Sequence, residues 1–202
     1  MKHVLSRIVV WGHEFLAEVV SPGDLVVDLT AGNGQDTLKL FEFVGVSGQV
    51  VAFDIQTEAL TNTKTLLEAN GAKVRATLAD DLPLCRQPGV DLVEASHAHF
   101  GRYVTFSPRA IIANLGYLPG GDQQIKTHSE STMAALEQSC PQLAVGGRIA
   151  VVVYPGHPGG EQEAIAVTEF FTGLPEHVFE VIQLRVSNRL LAPFLFVAEK
   201  LI

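Results

Sequence analysis

Cysteine is nearly missing from this chain: Cys85 and Cys140 are the two in 202 residues, far apart and without Cys-x-x-Cys spacing. That argues against a disulfide framework or a zinc knuckle and suits a reducing, cytoplasmic setting. Long apolar runs are missing too. The N-terminal stretch from Val4 to Val20 is interrupted by Arg7, His13 and Glu14, too polar for a spanning helix, and it lacks the small-residue cleavage site of a secretory signal. Basic charge is scarce, with 14 Lys and Arg against 22 Asp and Glu and a net charge of −8. Broad phosphate binding needs clustered cations, so any contact with nucleic acid has to come from a local basic face. The dinucleotide fingerprint Gly-x-Gly-x-x-Gly is also absent, because Thr30 stands where its first glycine would be.

What remains is a chain with 47% hydrophobic and 18% charged residues, suited to one α/β domain over residues 1–202. Short apolar runs alternate with helical patterns, the sequence form of a mostly parallel sheet covered on both faces. Strands are expected at Asp24–Leu29, Gln49–Asp54, Val90–Ala95, Ala110–Asn114, Arg148–Tyr154, His177–Leu184 and Pro193–Glu199. Helices are expected near Val4–Val20, Gln35–Phe43, Thr57–Asn70, Ser129–Cys140 and Gly160–Thr172. Val74–Leu78 is ambiguous, a short extra strand or part of a loop. The last two strands have no helix between them, which suits an antiparallel pair at one edge. Seven strands ending this way form the Rossmann-like fold of class I methyltransferases; a dehydrogenase domain normally has six parallel strands.

The strongest local signal runs from Val26 through Asp28, Gly32, Asn33 and Gly34 to Asp36 and Thr37: a buried strand, a small-residue turn and a helix start. Gly32 and Gly34 let backbone approach a ligand closely. Asp28 and Asp36 put negative charge there, which suits the ammonium and sulfonium of S-adenosylmethionine better than a pyrophosphate. Alone, the turn also reads as an ordinary crossover. The next strand ends in Asp54, 26 residues after Asp28 and followed by Gln56, where a carboxylate can receive both ribose hydroxyls. A helix N-cap is the plainer reading of Asp54, and NAD is the rival ligand for the two motifs together. Ser96 and His97, at the third strand's end, are candidates for the adenine rim. His97 and His99 have His-x-His spacing, but no further ligand completes a metal site, and none is expected.

Asn114 ends an apolar strand and opens a loop with Gly116, Tyr117, Leu118, Pro119, Gly120, Gly121 and Asp122. An Asn can accept a hydrogen bond from an amine, a Tyr ring can stack on a base, and Pro and Gly fix the path around a ligand. Tyr154 opens a second such loop, with His157 and Glu161. A structural turn and a charged helix start are the plainer readings of these two loops. A dehydrogenase would need a Tyr-x-x-x-Lys arrangement, which Tyr103, Tyr117 and Tyr154 do not supply.

The phrases Ala31 to Thr37, Phe53 to Gln56, Asn114 to Asp122, Tyr154 to Glu161 and Ala192 to Lys200 resemble the YtqB/MnmM-like methyltransferases, long described as rRNA methylases. The resemblance spans nearly the whole chain; Lys73–Pro88 and Phe100–Pro108 depart from the family pattern. It implies methyl transfer from S-adenosylmethionine to the exocyclic amine of 5-aminomethyl-2-thiouridine at the tRNA wobble position, with the anticodon loop as partner. An rRNA or a small molecule is the alternative acceptor, and a non-catalytic nucleotide-binding module or an NAD enzyme is a more distant one. Asn114, Tyr117, Asp122 and His157 are the catalytic candidates, the last two as proton acceptors. Asp28, Gly32, Asn33, Gly34, Asp36, Asp54, Gln56, Ser96 and His97 are assigned to the cofactor. Leu118, Pro119, Gly120, Tyr154 and Arg189 are assigned to the substrate, with Lys126, Arg148, Arg185 and Arg189 as candidate phosphate contacts. A homodimer is compatible with this reading.

Overall fold

Residues Leu25–Asp28 carry no polar side chain until the last position, and all four are buried; they form β1 at the centre of the sheet. The computed structural model describes residues 7–77, 82–118, 120, 126–156 and 159–202. Around β1 lie β2 (Gln49–Asp54), β3 (Val74–Thr77), β4 (Gly89–Glu94), β5 (Ala110–Asn114), β6 (Arg148–Val153), β7 (Phe179–Arg185) and β8 (Phe194–Lys200), in the order β3-β4-β2-β1-β5-β6-β8-β7. The first six are mutually parallel; β8 runs antiparallel between β6 and β7. The sheet is buried on both faces, by one apolar cluster around Phe53, Ile111 and Phe196 and another around Val26, Leu40 and Ala150. Fully buried parallel strands need apolar residues at consecutive positions, which is why these segments stand out in the sequence.

The helices are α1 (Ile8–Ala17), α2 (Gln35–Val44), α3 (Thr57–Ala69), α4 (Phe100–Tyr103), α5 (Ser129–Gln142) and α6 (Gly160–Thr172). Where it is described, α1 ends three residues before the expected Val20. Gly12 brings it close to the sheet: a Cβ there would meet Leu195 and Ala150 at 3.6 and 3.7 Å. This contact lays α1 against β6 and β8.

Two features correct the sequence reading. The sheet has eight strands, not seven, because β3 adds a parallel edge beside β4. Its four residues are only partly apolar; the Arg75 guanidinium holds the strand by pairing with both oxygens of buried Asp91, at 2.6 and 2.8 Å. A short 3-10 turn, His97–His99, also runs straight into α4. There Phe100 and Tyr103 pack on Phe53, with ring centroids 6.4 and 5.6 Å away, so Phe100–Pro108 begins as core packing.

Strand order reverses at β1, with β2 on one side and β5 on the other. In open α/β sheets, ligands bind in the crevice beyond the strand ends at such a point.

Candidate functional site

A cleft of about 1210 Å³ opens at that position. Its first wall is the turn after β1. Thr30 N–H donates to Asp28 Oδ1 at 3.0 Å and the Thr37 hydroxyl to Asp28 Oδ2 at 2.6 Å. Asp28 is thus fully buried beneath the turn and does not line the cleft, which corrects its assignment as a ligand contact. Burial, with Asp36 nearby, pushes its carboxyl up to about 7. Gly34 is likewise a packing residue outside the lining: it caps α2 with φ +82°, and a Cβ would lie 2.9 Å from Thr63 Cα.

Gly32 and Asn33 line the cleft, and Asp54 faces them from the end of β2. Its two oxygens accept Gly32 N–H and Gln56 N–H, each at 2.9 Å, while burial raises its pKa. Ser96 and His97 continue this wall from the end of β4. His97 Nδ1 lies 3.1 Å from the Leu29 carbonyl, so it carries the proton and donates. Burial lowers the His97 pKa, which keeps the ring neutral and leaves Nε2 as an acceptor. That nitrogen is buried and without a partner among the described residues.

The opposite wall comes from β5 and β6. Asn114 Nδ2 donates to Asp36 Oδ2 at 3.3 Å, and His13 Nε2 lies 2.6 Å from Asp36 Oδ1. Tyr154 is bonded to the Asn114 side chain, and its pKa is raised by burial first and by the Asp36 charge second. Asn114 Oδ1 is buried with no partner among the described residues. The half-exposed ring of Tyr117, with Leu118 and Gly120, forms the rim. A buried carboxylate anchors this loop: Glu163 of α6 accepts from Thr127 and Thr132 at 2.9 and 2.7 Å, and Thr127 Oγ1 accepts from Gly116 N–H at 2.9 Å.

Pro119, Asp122 and His157 lie outside the described residues. Arg148 is not at the cleft: it bonds Glu18, Glu199 and the Phe15 carbonyl at the other end of β6, so it is no phosphate contact there. Arg185 stands over the Phe194 ring at 5.2 Å, and exposed Arg189 is outside the lining, although Leu191 and Pro193 of the same connection belong to it. Sequence reasoning missed His13, which α1 carries to Asp36, and Thr30, whose hydroxyl accepts Asn114 N–H at 2.8 Å. Thr30 was visible as the substitute for the expected glycine. His13 had no local signal, since only the packing of α1 brings it there.

A strand-end carboxylate, a glycine turn and an unpartnered neutral imidazole nitrogen on one side fit a nucleoside with a cationic tail. The facing half carries an unpartnered amide oxygen beside a carboxylate, suited to an amine.

A family model described as "Putative rRNA methylase" matches residues 50–200. The chain is 38% identical over 191 residues to "tRNA (mnm(5)s(2)U34)-methyltransferase, chloroplastic" of Arabidopsis thaliana, covering 91% of this chain and 65% of that protein. Among solved structures, it is similar to a protein of Clostridium thermocellum described as a "putative rRNA-methylase" (TM-score 0.85, 35% identity, 96% of this chain and 97% of that one). It is also similar to a protein of Streptococcus mutans described as "a putative methyltransferase", in complex with SAH (TM-score 0.81, 32% identity, 96% and 98% covered). The chain spans about two thirds of the plant protein's length and nearly all of the two bacterial ones.

Proposed function

The chain belongs to the family described as putative rRNA methylases, and from that premise we propose that it methylates tRNA at the exocyclic amine of 5-aminomethyl-2-thiouridine in the wobble position, using S-adenosylmethionine. The observation that carries this reading is Asn114 Oδ1: a buried, unpartnered acceptor at the end of β5, facing the cofactor turn across one cleft.

The cofactor supplies a methyl group already activated on a cationic sulfur. The protein's task is to hold an uncharged amine in line with it, and such positioning accounts for roughly 7–11 kcal/mol of barrier lowering. Asp54 and Gln56 would receive the ribose hydroxyls, and Gly32 and Asn33 would lie along the cofactor's tail. Ser96 and His97 would border the adenine, where His97 Nε2 is available as an acceptor. On the other side, Asn114 Oδ1 accepts a hydrogen bond from the amine and orients its lone pair. Tyr117 stacks on the exposed base, and Leu118, Gly120 and Tyr154 shape the entrance. An anticodon-loop base is already unpaired, so recognition by stacking and edge contacts suffices for a small enzyme. The Arabidopsis relative's name favours tRNA over rRNA as acceptor. A cytoplasmic setting belongs to the same reading: both cysteines are free thiols, and among the described residues no helix is long and apolar enough to cross a membrane.

The test is incubation with methyl-labelled cofactor and either rRNA or tRNA, the tRNA with or without the aminomethyl group, followed by nucleoside mass spectrometry. Label should appear in the methylaminomethyl nucleoside and depend on the amine. Label found only in rRNA, or equally in tRNA without the amine, would refute the substrate assignment.

A further inference from the structure

The substrate amine presents a problem that Asn114 does not solve. An alkylamine near neutral pH is mostly an ammonium ion, without a lone pair to attack. A proton acceptor is needed within reach of the amine. An amide oxygen can orient the group, but it is too weak a base to keep the proton.

The acceptor half of the cleft holds a carboxylate for this. Asp36 lies at the start of α2, next to the glycine turn, yet its side-chain partners come from elsewhere: Asn114 at the end of β5 and His13 on α1. Cofactor-type features occupy the ends of β2 and β4; Asp36, Asn114 and Tyr154 gather toward β5 and β6. Asp36 lines the cleft, and its Oδ2 is the oxygen shared with Asn114. We propose that Asp36 is the group that takes the proton from the substrate ammonium, with His13 as the positioning residue that holds its other oxygen. This rests on the methyl-transfer reading above.

In the step itself, one N–H bond of the ammonium breaks, the proton passes to Asp36 Oδ2, and the bonding electrons stay on nitrogen as the attacking pair. With a His13 Nε2–H donating to Oδ1, the Asp36 carboxylate carries one negative charge before the step and none after it. That charge also draws the ammonium to the place where Asn114 orients it. The titratable groups facing the pair are Asp28 from β1 and Tyr154 from the end of β6, both influenced by the Asp36 charge; Asp54 acts on Asp28 from β2. Asp28 receives no proton from substrate, because it is sealed beneath the turn.

The experiment compares the full chain with Asp36→Asn, His13→Ala and His13→Gln on aminomethylated tRNA. It follows kcat from about pH 6 to about pH 9.5, with S-adenosylmethionine affinity measured by calorimetry. Asp36→Asn should lower kcat near neutral pH by about 10²–10⁴-fold and recover as pH rises, because a free amine needs no acceptor. Its cofactor affinity should stay within about threefold of wild type, which also reports an intact fold. His13→Ala should show a smaller loss of the same kind, and His13→Gln, which keeps a donor for Asp36, should regain most of it. A wild-type kcat in Asp36→Asn at neutral pH, or a loss that does not shrink at high pH, overturns the proposal. So does a loss confined to cofactor affinity, which would make Asp36 a cofactor ligand. A wild-type chain that leaves the amine unmethylated brings down the functional reading and this one together; an active wild type with an equally active Asp36→Asn brings down this one alone.

Discussion

Asp28 holds the turn after β1 through two hydrogen bonds, yet it is fully buried, and its carboxyl is raised from an ordinary 3.8 to about 7. In the unfolded chain the group ionises near its ordinary value. Between those two pH values the folded state keeps a proton that the unfolded state has lost, so stability is present at low pH and declines as pH rises toward 7. The shift corresponds to roughly 4 kcal/mol at most. Asn at this position keeps an acceptor for Thr30 N–H but does not titrate. Urea unfolding of wild type and Asp28→Asn at about pH 5 and about pH 8 should therefore show the variant gaining on wild type at the higher pH, by a few kcal/mol. Parallel pH dependences would remove Asp28 as the buried titrating group. At this scale the sequence announces residues at strand ends, such as Asp54 and Asn114, because a polar residue closing an apolar run is visible in one dimension. It does not tell a carboxylate that lines the cleft from one that braces it from below: Asp28 and Asp36 are both buried, and only Asp36 reaches the lining.

The elements around the cleft depend on close approach more than on propensity. Gly34 joins the turn to α2 with φ +82°, and a Cβ there would sit 2.9 Å from the Thr63 backbone in α3. Gly32 has φ +53°, but its Cβ would meet only Leu118 and a carbonyl oxygen, at 3.7 and 3.8 Å. Both alanine variants bear backbone strain, and only Gly34→Ala must also push α3 away. Gly34→Ala should lose about 2–4 kcal/mol of unfolding free energy, and Gly32→Ala about 1–2 kcal/mol. Chemical denaturation of the pair checks this ordering; equal losses would mean that contact with α3 does not set the geometry of the turn. The seven principal strands were legible to within a residue or two: six are buried along most of their length, while β7, at the sheet edge, is largely exposed. β3 was open between a short strand and a loop, and α4 was not expected, since both are held by partners distant in sequence: Asp91 for Arg75, and Phe53 for Phe100 and Tyr103.

Across the whole molecule, a net charge of −8 has to be reconciled with the polyanionic substrate we propose. Much of the small stock of arginine is committed internally: Arg75 to Asp91, Arg86 to Gln49 and the Gly23 carbonyl, Arg109 to backbone carbonyls, and Arg148 to two glutamates. Among the described residues, the cations by the acceptor half of the cleft are Lys126 in its lining, with Arg185 and Arg189 on the strand and connection leading to Leu191 and Pro193. Three phosphate contacts on single-stranded RNA predict a log–log slope of affinity against salt of about −2, so tRNA binding should weaken roughly 10- to 20-fold between about 50 and about 200 mM salt. Fluorescence titration of labelled tRNA at several salt concentrations measures that slope directly. A flat response would mean that none of these side chains meets a phosphate. A much steeper one would require cations beyond those that the described residues place near the cleft, and would point to a second copy contributing its own basic residues. Under the proposed reading, the modest expected slope leaves most of the selectivity to the cleft, to Tyr117 for the base and Asn114 for its amine, rather than to the field of an acidic molecule.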